Sequence, residues 1–359
     1  MKKINIPVEK LNVIAFKLFL GMGLNEKDAT YAADVLLETD RRGVDTHGVA
    51  RLSFYYWCVR SGSVATDAHL HVLKDDTPYL MVDAGNGLGI TMAPQAVDLA
   101  IQKAKEHGIC VMGVQNSNHF GAAGYYTAKC VEQGFISMVC SNSGPTMAPI
   151  GGKDKIHGNS PWSIAIPGGT RYPDPVMFDM ACSEVARGKL ETAEREGNPV
   201  PLGWGVDRYG EPCTDPTEIL KNGSLLPFGG IKGYCITILV EALSSLLTFS
   251  SFGKGLNMSS GKMNTSHFVL LMDPRKFGDL SMYKNSIDEY VGSIKNSPLA
   301  SGVEEIIVPG ELEARKIQHR SKYGLDLDEA IVASLVEVGI KTGLLSEGQG
   351  FAEMMAWER

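Results

Sequence analysis

Two histidines and an arginine are the first residues whose types and spacing point to chemistry. In THGVAR, His47 and Arg51 are four apart, so on one predicted helix they share a face. Arginine's planar fork clamps a carboxylate, and an imidazole beside it moves protons near neutral pH. His47 would occupy the first helical turn, where the positive dipole end disfavours imidazolium. A surface helix whose histidine caps a turn and whose arginine pairs with an acid fits the same spacing. His119, in QNSNHFGAAGYY, stands between an apolar run and a helical one. Loops at the ends of core strands carry catalytic groups, and the small residues after it leave room for a ligand. A turn histidine bonded to nearby carbonyls is the competing reading.

Other stretches are less specific. SNSGPTMAPIGG and HGNSPWSIAIP, within 141–167, combine glycines with polar residues. Their backbone N–H groups could bind an anion, though the composition is also that of ordinary turns. In FGGIKGY, Lys232 opens a helix behind two glycines. A helix N-terminus with a lysine suits a phosphate, but the P-loop spacing is absent and an ordinary first-turn lysine is the alternative. AGNGLGI carries Gly85, Gly87 and Gly89 after a predicted strand. The dinucleotide fingerprint needs its third glycine one place later and an acidic residue that follows a second strand roughly 20 positions on; neither is met. A Rossmann domain is therefore not expected. The eight histidines are scattered without H-E-x-x-H, and His69 and His71 fall in a polar, loop-like stretch, so no metal site is expected.

The elements that must position these residues follow from periodicity. Helices are predicted over 7–21, from Asn25 to Gly43, over 46–62 with Asp45 as cap, and over 93–107, 121–134 and 232–248. Strands are predicted over 77–85, 109–117 and 135–143, then in SIAIPGG, PVMFDMA, LGWGVD and SHFVLLMD. Helices return from 312. Helical ends around a strand-rich middle indicate a domain made of 1–127 plus 300–359, with a second domain, 128–299, inserted.

Composition narrows the function classes. The chain has 359 residues, 44% of them hydrophobic, which is ample for a buried core. A net charge of -7 without a Lys/Arg block argues against a nucleic-acid partner. Seven cysteines, an odd number with no C-x-x-C pair, read as reduced intracellular thiols. The N-terminal stretch is interrupted by Glu9, Lys10 and Lys17 and reads as an amphipathic helix. A soluble, cytoplasmic protein with no membrane partner is expected.

Taken in order, RRGVDTHGVARL, SNHFGAAGYY, SGPTMAPIGG, GNSPWSIAIP, FDMACSEVARGK, GGIKGY and VPGE give the chain a resemblance to a known family. It resembles the malate/L-lactate dehydrogenases that are unrelated to the Rossmann-fold enzymes of similar name. The resemblance covers nearly the whole chain. It implies an α/β (α+β-like) fold with a mostly antiparallel-sheet cofactor domain inserted in a helix-rich N-plus-C-terminal domain. It also implies hydride transfer between NAD(P) and a 2-hydroxy/2-oxo acid, and a homodimer. NAD is preferred, with NADP possible, because no partner for a 2′-phosphate is evident.

The family's general acid/base histidine corresponds to His119. A second histidine, proton donor in some members, corresponds to His47, and the substrate-clamping arginine to Arg51. Ser143 matches a substrate-contacting serine. Cofactor-binding positions fall at Asp179, Met180 and Ala181, at Lys232 and Gly233, and at Gly310, Glu311 and Leu312. A further basic substrate contact falls at Lys262 only if a gap is allowed. Many members read G-T-N-P where this chain has Gly158, Asn159, Ser160 and Pro161. Malate/oxaloacetate is the leading substrate; lactate, sulfolactate, ureidoglycolate and cyclic imino acids are alternatives. Two remote readings are a pyridoxal-phosphate enzyme using Lys232 and a non-catalytic carboxylate-binding protein using Arg51.

Overall fold

The computed structural model describes residues 3–256 and 263–359; Lys262 lies outside them. Strand β1 (Lys3–Ile6) leads into α1 (Val8–Gly21), whose Leu11, Ile14, Ala15, Leu18 and Phe19 recur at helical spacing and are all buried. Each such leucine or isoleucine contributes about 1.5–3 kcal/mol when fully buried. Asn25 caps α2 (Glu26–Arg41), its side-chain oxygen accepting from the Asp28 N–H at 2.9 Å.

The next segment departs from the sequence expectation. In place of one helix from 46 to 62 there are two 3-10 turns, Asp45–His47 and Val49–Arg51, before α3 (Leu52–Arg60). The break falls at Gly48, because the Asp40 carboxylate of α2 occupies the space a side chain would need. A Cβ there would lie 1.8 Å from Asp40 Oδ1. Asp40 Oδ2 instead accepts from the Val49 N–H at 2.9 Å. Asp45 caps nothing; its carboxylate pairs with Arg320. His47 and Arg51 therefore sit on consecutive turns, not on one helical face.

Strands β2 (His71–Asp76) and β3 (Tyr79–Asp83) come next, so His71 lies in an exposed edge strand and not in a loop. Helix α4 (Gly89–His107) starts before the expected 93, and β4 (Ile109–Ser117) and α5 (Ala123–Glu132) follow. The middle of the chain supplies β5 (Ile136–Ser141), β6 (Trp162–Ile166), β7 (Val176–Met180), α6 (Arg187–Glu196), β8 (Gly205–Val206), α7 (Pro216–Lys221) and β9 (Ser224–Leu225). Helix α8 (Ile231–Glu241) runs on into a π turn at Ala242–Leu246. Then come β10 (Thr265–Met272), α9 (Leu280–Lys295), α10 (Glu311–Tyr323), β11 (Leu325–Asp328), α11 (Glu329–Lys341) and α12 (Phe351–Met355).

A seven-stranded sheet in the order β2-β3-β4-β10-β5-β6-β7 carries the fold. Only β3 and β4 pair in parallel, joined by the α4 crossover; every other neighbouring pair in this sheet is antiparallel. This is the mostly antiparallel, non-Rossmann sheet that the resemblance implied. Strand β10 sits between β4 and β5, so strands from 1–127 and from 128–299 share one sheet. The largest core packs α1, α2, α4 and α11 against β3 and β4, and a second one gathers Cys140, Met147, Cys182, Leu225, Val240 and Phe268. Antiparallel pairing of β1 with β11 ties the two ends of the chain together.

Candidate active site

His119 is delivered by an irregularity at the end of β4. Opposite β10, two β4 residues, Gln115 and Asn116, face the single residue Ser266. Asn116 takes up the extra length at φ 53, a left-handed conformation that asparagine tolerates. The bulge turns the strand end, and His119 emerges between β4 and α5. The turn 84–89 braces it from below. Asn118 donates to the Gly87 carbonyl at 2.8 Å, and a Cβ at Gly89 would lie 2.1 Å from the Asn118 carbonyl oxygen. The glycines that fail the dinucleotide fingerprint thus serve the close approach of α4 to the His119 turn.

Around this turn the structure gathers His47, Arg51 and Tyr55. The rings of His47 and His119 are stacked, centroids 5.7 Å apart and planes 16° apart. Phe54 meets His119 edge-on at 5.6 Å. The Tyr55 hydroxyl lies 2.7 Å from His119 Nδ1, on a side chain that is fully buried. For Nε2 to accept a proton, the neutral ring carries its hydrogen on Nδ1 and donates it to the Tyr55 oxygen, and the same bond persists in imidazolium. Arg51 Nε donates to the Thr46 carbonyl at 2.8 Å. Among the described residues its two terminal nitrogens make no hydrogen bond to protein, so the fork is free for an anion.

Both imidazoles are held neutral. Burial, followed by the charge of Arg51, brings His47 down to about 4. Burial also holds His119 well below its ordinary value, reinforced by His47, Arg51 and His267. Enclosure by protein supplies this depression in place of the helix dipole expected from the sequence, since no regular helix begins at His47. Two neutral proton carriers beside an open guanidinium can bind a carboxylate and exchange a proton with an adjacent oxygen.

The remaining expected positions form a separate run of contacts. Ser143 Oγ donates to Asn159 Oδ1 at 2.8 Å and accepts from the Ser160 N–H; among the described residues it does not bond either histidine. The Asn159 carbonyl accepts from Cys182 N–H, and the Cys182 carbonyl from Phe228 N–H. This ladder joins the Ser143 loop to the segment after Asp179, Met180 and Ala181, and on to α8. Asp179 itself reaches back toward the histidine turn, its Oδ2 accepting from Gly124 N–H in α5 at 2.8 Å. Lys232 is exposed and Gly233 buried in the first turn of α8. A cleft of about 410 Å³ lies at that helix end, lined by Glu184, Trp204, Gly229 and Gly230 among others. Gly310 caps α10 and packs on the Pro175 carbonyl; Leu312 is exposed. Glu311 is already engaged, both carboxylate oxygens accepting from Lys295 Nζ at 2.6 and 2.7 Å.

Sequence reasoning missed Tyr55 and His267. Tyr55 continues the four-residue spacing of His47 and Arg51, a visible signal. His267 interrupts the apolar strand SHFVLLMD, where a buried polar ring needs partners.

The sequence pattern of the malate/L-lactate dehydrogenase family matches residues 6–336. The chain is 35% identical to the malate/(S)-sulfolactate dehydrogenase of Methanothermus fervidus, over 92% of this chain and 96% of that one. It is 34% identical to the malate dehydrogenase of Pyrococcus horikoshii, over 95% and 96% respectively. The solved structure of the sulfolactate dehydrogenase from Methanocaldococcus jannaschii superposes with a TM-score of 0.87 at 32% identity, covering 95% of this chain and 98% of that one. Sheet, site and relatives together define an oxidoreductase of the hydroxy-acid class. The chain belongs to the malate/L-lactate dehydrogenase family.

Proposed function

We propose that this protein interconverts malate and oxaloacetate, with NAD as its hydride carrier. The observation that carries the reading is the open Arg51 fork beside two stacked, neutral histidines. Arg51 holds the substrate carboxylate and so orients the neighbouring carbon. His119 takes the hydroxyl proton as hydride leaves and, as imidazolium, returns it to the carbonyl oxygen in reverse. Tyr55 keeps the ring oriented through both charge states. His47, stacked on His119, lines the same site and positions substrate. Malate leads because the relatives that match along the chain include malate dehydrogenases. Sulfolactate, lactate, ureidoglycolate and cyclic imino acids are the alternatives to test against it.

The cofactor is assigned to the segments Asp179–Ala181, Lys232–Gly233 and Gly310–Leu312. The chain's own features fit a dinucleotide there. Lys232 makes no side-chain hydrogen bond or ion pair among the described residues and stands at the N-terminus of α8, whose first N–H groups suit a phosphate; the Gly229 and Gly230 N–H groups beside it already donate to Glu184 Oε2 and to the Pro227 carbonyl. Since Glu311 is tied to Lys295, its part falls to the backbone. When bound, the nicotinamide accepts or donates the hydride. The preference for NAD over NADP rests on the lack of an evident 2′-phosphate partner in the sequence. Residues 128–299 are proposed as the cofactor domain, and 1–127 with 300–359 as the substrate and dimerisation domain.

A cytoplasmic homodimer is proposed as the working form. Among the described residues no helix is long and apolar enough to cross a membrane. The run 231–252 contains only Lys232 and Glu241 as charges, and Glu241 is buried. Ile238, Leu239, Leu246, Leu247 and Phe249 are exposed along it, Phe249 by 92%. An apolar stripe of this kind marks an interaction surface, and a two-fold pairing of identical stripes would cover it.

The test is oxidation of NADH and NADPH by a panel of 2-oxo acids led by oxaloacetate, followed by absorbance. Fastest turnover with oxaloacetate and NADH supports the assignment. A different preferred acid renames the substrate, and no turnover with any of them rejects the reading.

A further inference from the structure

Directly after His119, the ring of Phe120 is clamped between two others. Tyr126 stacks on one side at 4.8 Å and 12°, and His267 on the other at 4.4 Å and 6°. The Tyr126 hydroxyl also donates to the Phe120 carbonyl, so ring and backbone are both fixed. All three side chains are buried.

His267 is itself anchored at both nitrogens. Its Nδ1 is 2.9 Å from Ser141 Oγ in β5, and its Nε2 is 2.8 Å from Ser117 Oγ at the end of β4. The Ser141 hydroxyl donates its hydrogen to the carbonyl of Asn142 or Ser266, at 2.9 and 3.1 Å. It is therefore an acceptor toward His267, whose Nδ1 must carry the hydrogen, while Ser117 donates to Nε2. This pattern satisfies a neutral ring, and a second N–H would force the Ser117 hydroxyl to turn from donor to acceptor. Burial brings His267 down to about 3, in agreement with that pattern.

We infer that His267 is a positioning residue for the proton carrier: the Tyr126–Phe120–His267 stack, pinned by Ser117 and Ser141, fixes the turn from which His119 projects. The inference rests on the reading of His119 as the proton carrier. His267 spans the strands on both sides of β10, so it couples the ends of β4 and β5 to the His119 turn. A neutral ring at that place also adds no charge that would oppose imidazolium at His119.

The experiment combines kinetics with imidazole nitrogen NMR on the full-length protein. His267→Ala and Phe120→Leu are expected to lower kcat between about ten- and a hundred-fold, the scale of a sub-ångström to one-ångström misplacement. The KM for the 2-oxo acid and the affinity for NADH should stay within about twofold, because both side chains are buried. His267→Gln, which keeps one donor and one acceptor, should recover most of the loss. In the wild type, His267 should show one Nδ1–H tautomer, unchanged from about pH 5 to about pH 8. In Phe120→Leu, the His119 resonances should shift or double.

Variants that keep kcat within about twofold, or that lose it through KM, overturn the inference. So does a His267 that titrates in that pH range. Should His267→Ala not fold, Phe120→Leu and His267→Gln carry the same test. If the wild type turns over no 2-oxo acid, the dehydrogenase reading fails separately. The resonances then decide the positioning claim: unmoved His119 signals in Phe120→Leu reject it, and displaced ones sustain it.

Discussion

The rings of His47 and His119 lie 16° from parallel with centroids 5.7 Å apart, and only His119 has a buried hydroxyl on Nδ1. Charging one ring raises the cost of charging the other, so one proton at a time is held by the pair. The Tyr55 bond assigns that proton to His119, whereas His47 Nδ1 meets the exposed Thr46 hydroxyl at 3.0 Å. His119→Gln should therefore lower kcat by about 10²–10⁴-fold. His47→Gln should chiefly raise KM. Steady-state kinetics with the best 2-oxo acid check both, and a kcat loss confined to His47→Gln would exchange the two roles.

Tyr55→Phe removes one hydroxyl from a fully buried side chain and leaves the ring packing in place. A net hydrogen bond is worth about 1 kcal/mol, so kcat should fall roughly five- to tenfold. The melting temperature should change little. A variant as fast as the wild type would show that packing by Phe54 alone orients His119.

Asp40 gives a pH signature of stability. Burial pushes its carboxyl up to about 7 from 3.8, with the Val49 N–H pulling the other way. A carboxyl raised in the fold favours the folded state while protonated, and that advantage is lost as pH climbs from 3.8 through about 7. Asp40→Asn cannot ionise and its amide oxygen can still accept from Val49. Its melting temperature should gain on the wild type between about pH 4 and about pH 7 and run parallel above. Parallel curves across the whole range would mean that Asp40 is ionised in the fold.

Gly48→Ala tests the break between the two turns. Its Cβ would overlap the Asp40 carboxylate, so helix α2 or the turn must move. Overpacking of this kind costs about 1–3 kcal/mol, readable in a urea titration. Because His47 and Arg51 flank the glycine, KM should rise as well. An unchanged midpoint would mean that the Asp40 side chain simply swings aside.

Leu239→Glu places a charge in the exposed apolar stripe of α8. Light scattering should find a dimer for the wild type and a monomer for the variant. A monomeric wild type would sink the homodimer, and a dimeric variant would move the interface elsewhere.

Much of this was legible in the sequence, for reasons that differ by element. Helices α1 and α2 and strand β4 read correctly because burial on one face imposes a period, and Asn25 marks its helix chemically. Strand β2 did not, because an exposed edge strand has no buried face to impose alternation: HVLKDD is exposed throughout. The segment after Asp45 misled because its helix-compatible residues conceal a break caused by Asp40, which lies on another element. His47, Arg51 and His119 carried their own chemical signals. Tyr55 and His267 act through partners 64 and more than 100 positions away, which no local pattern reveals.

The place of β10 in the middle of the sheet also bears on how the molecule is made. Ser117 and Ser141 meet His267 only after 150 and 126 further positions of chain. Until β10 has been made, β4 and β5 lack the neighbour they share in the finished sheet, and any half-sheets built from β2–β4 and β5–β7 would have open edges there. Such edges invite pairing with other chains, and long-range closure of this kind is slow. Insertion of β10 seals both edges and anchors the catalytic turn in one event. Closure of the sheet against other chains and the fixing of the His119 turn therefore come together, once residues 265–272 have been made.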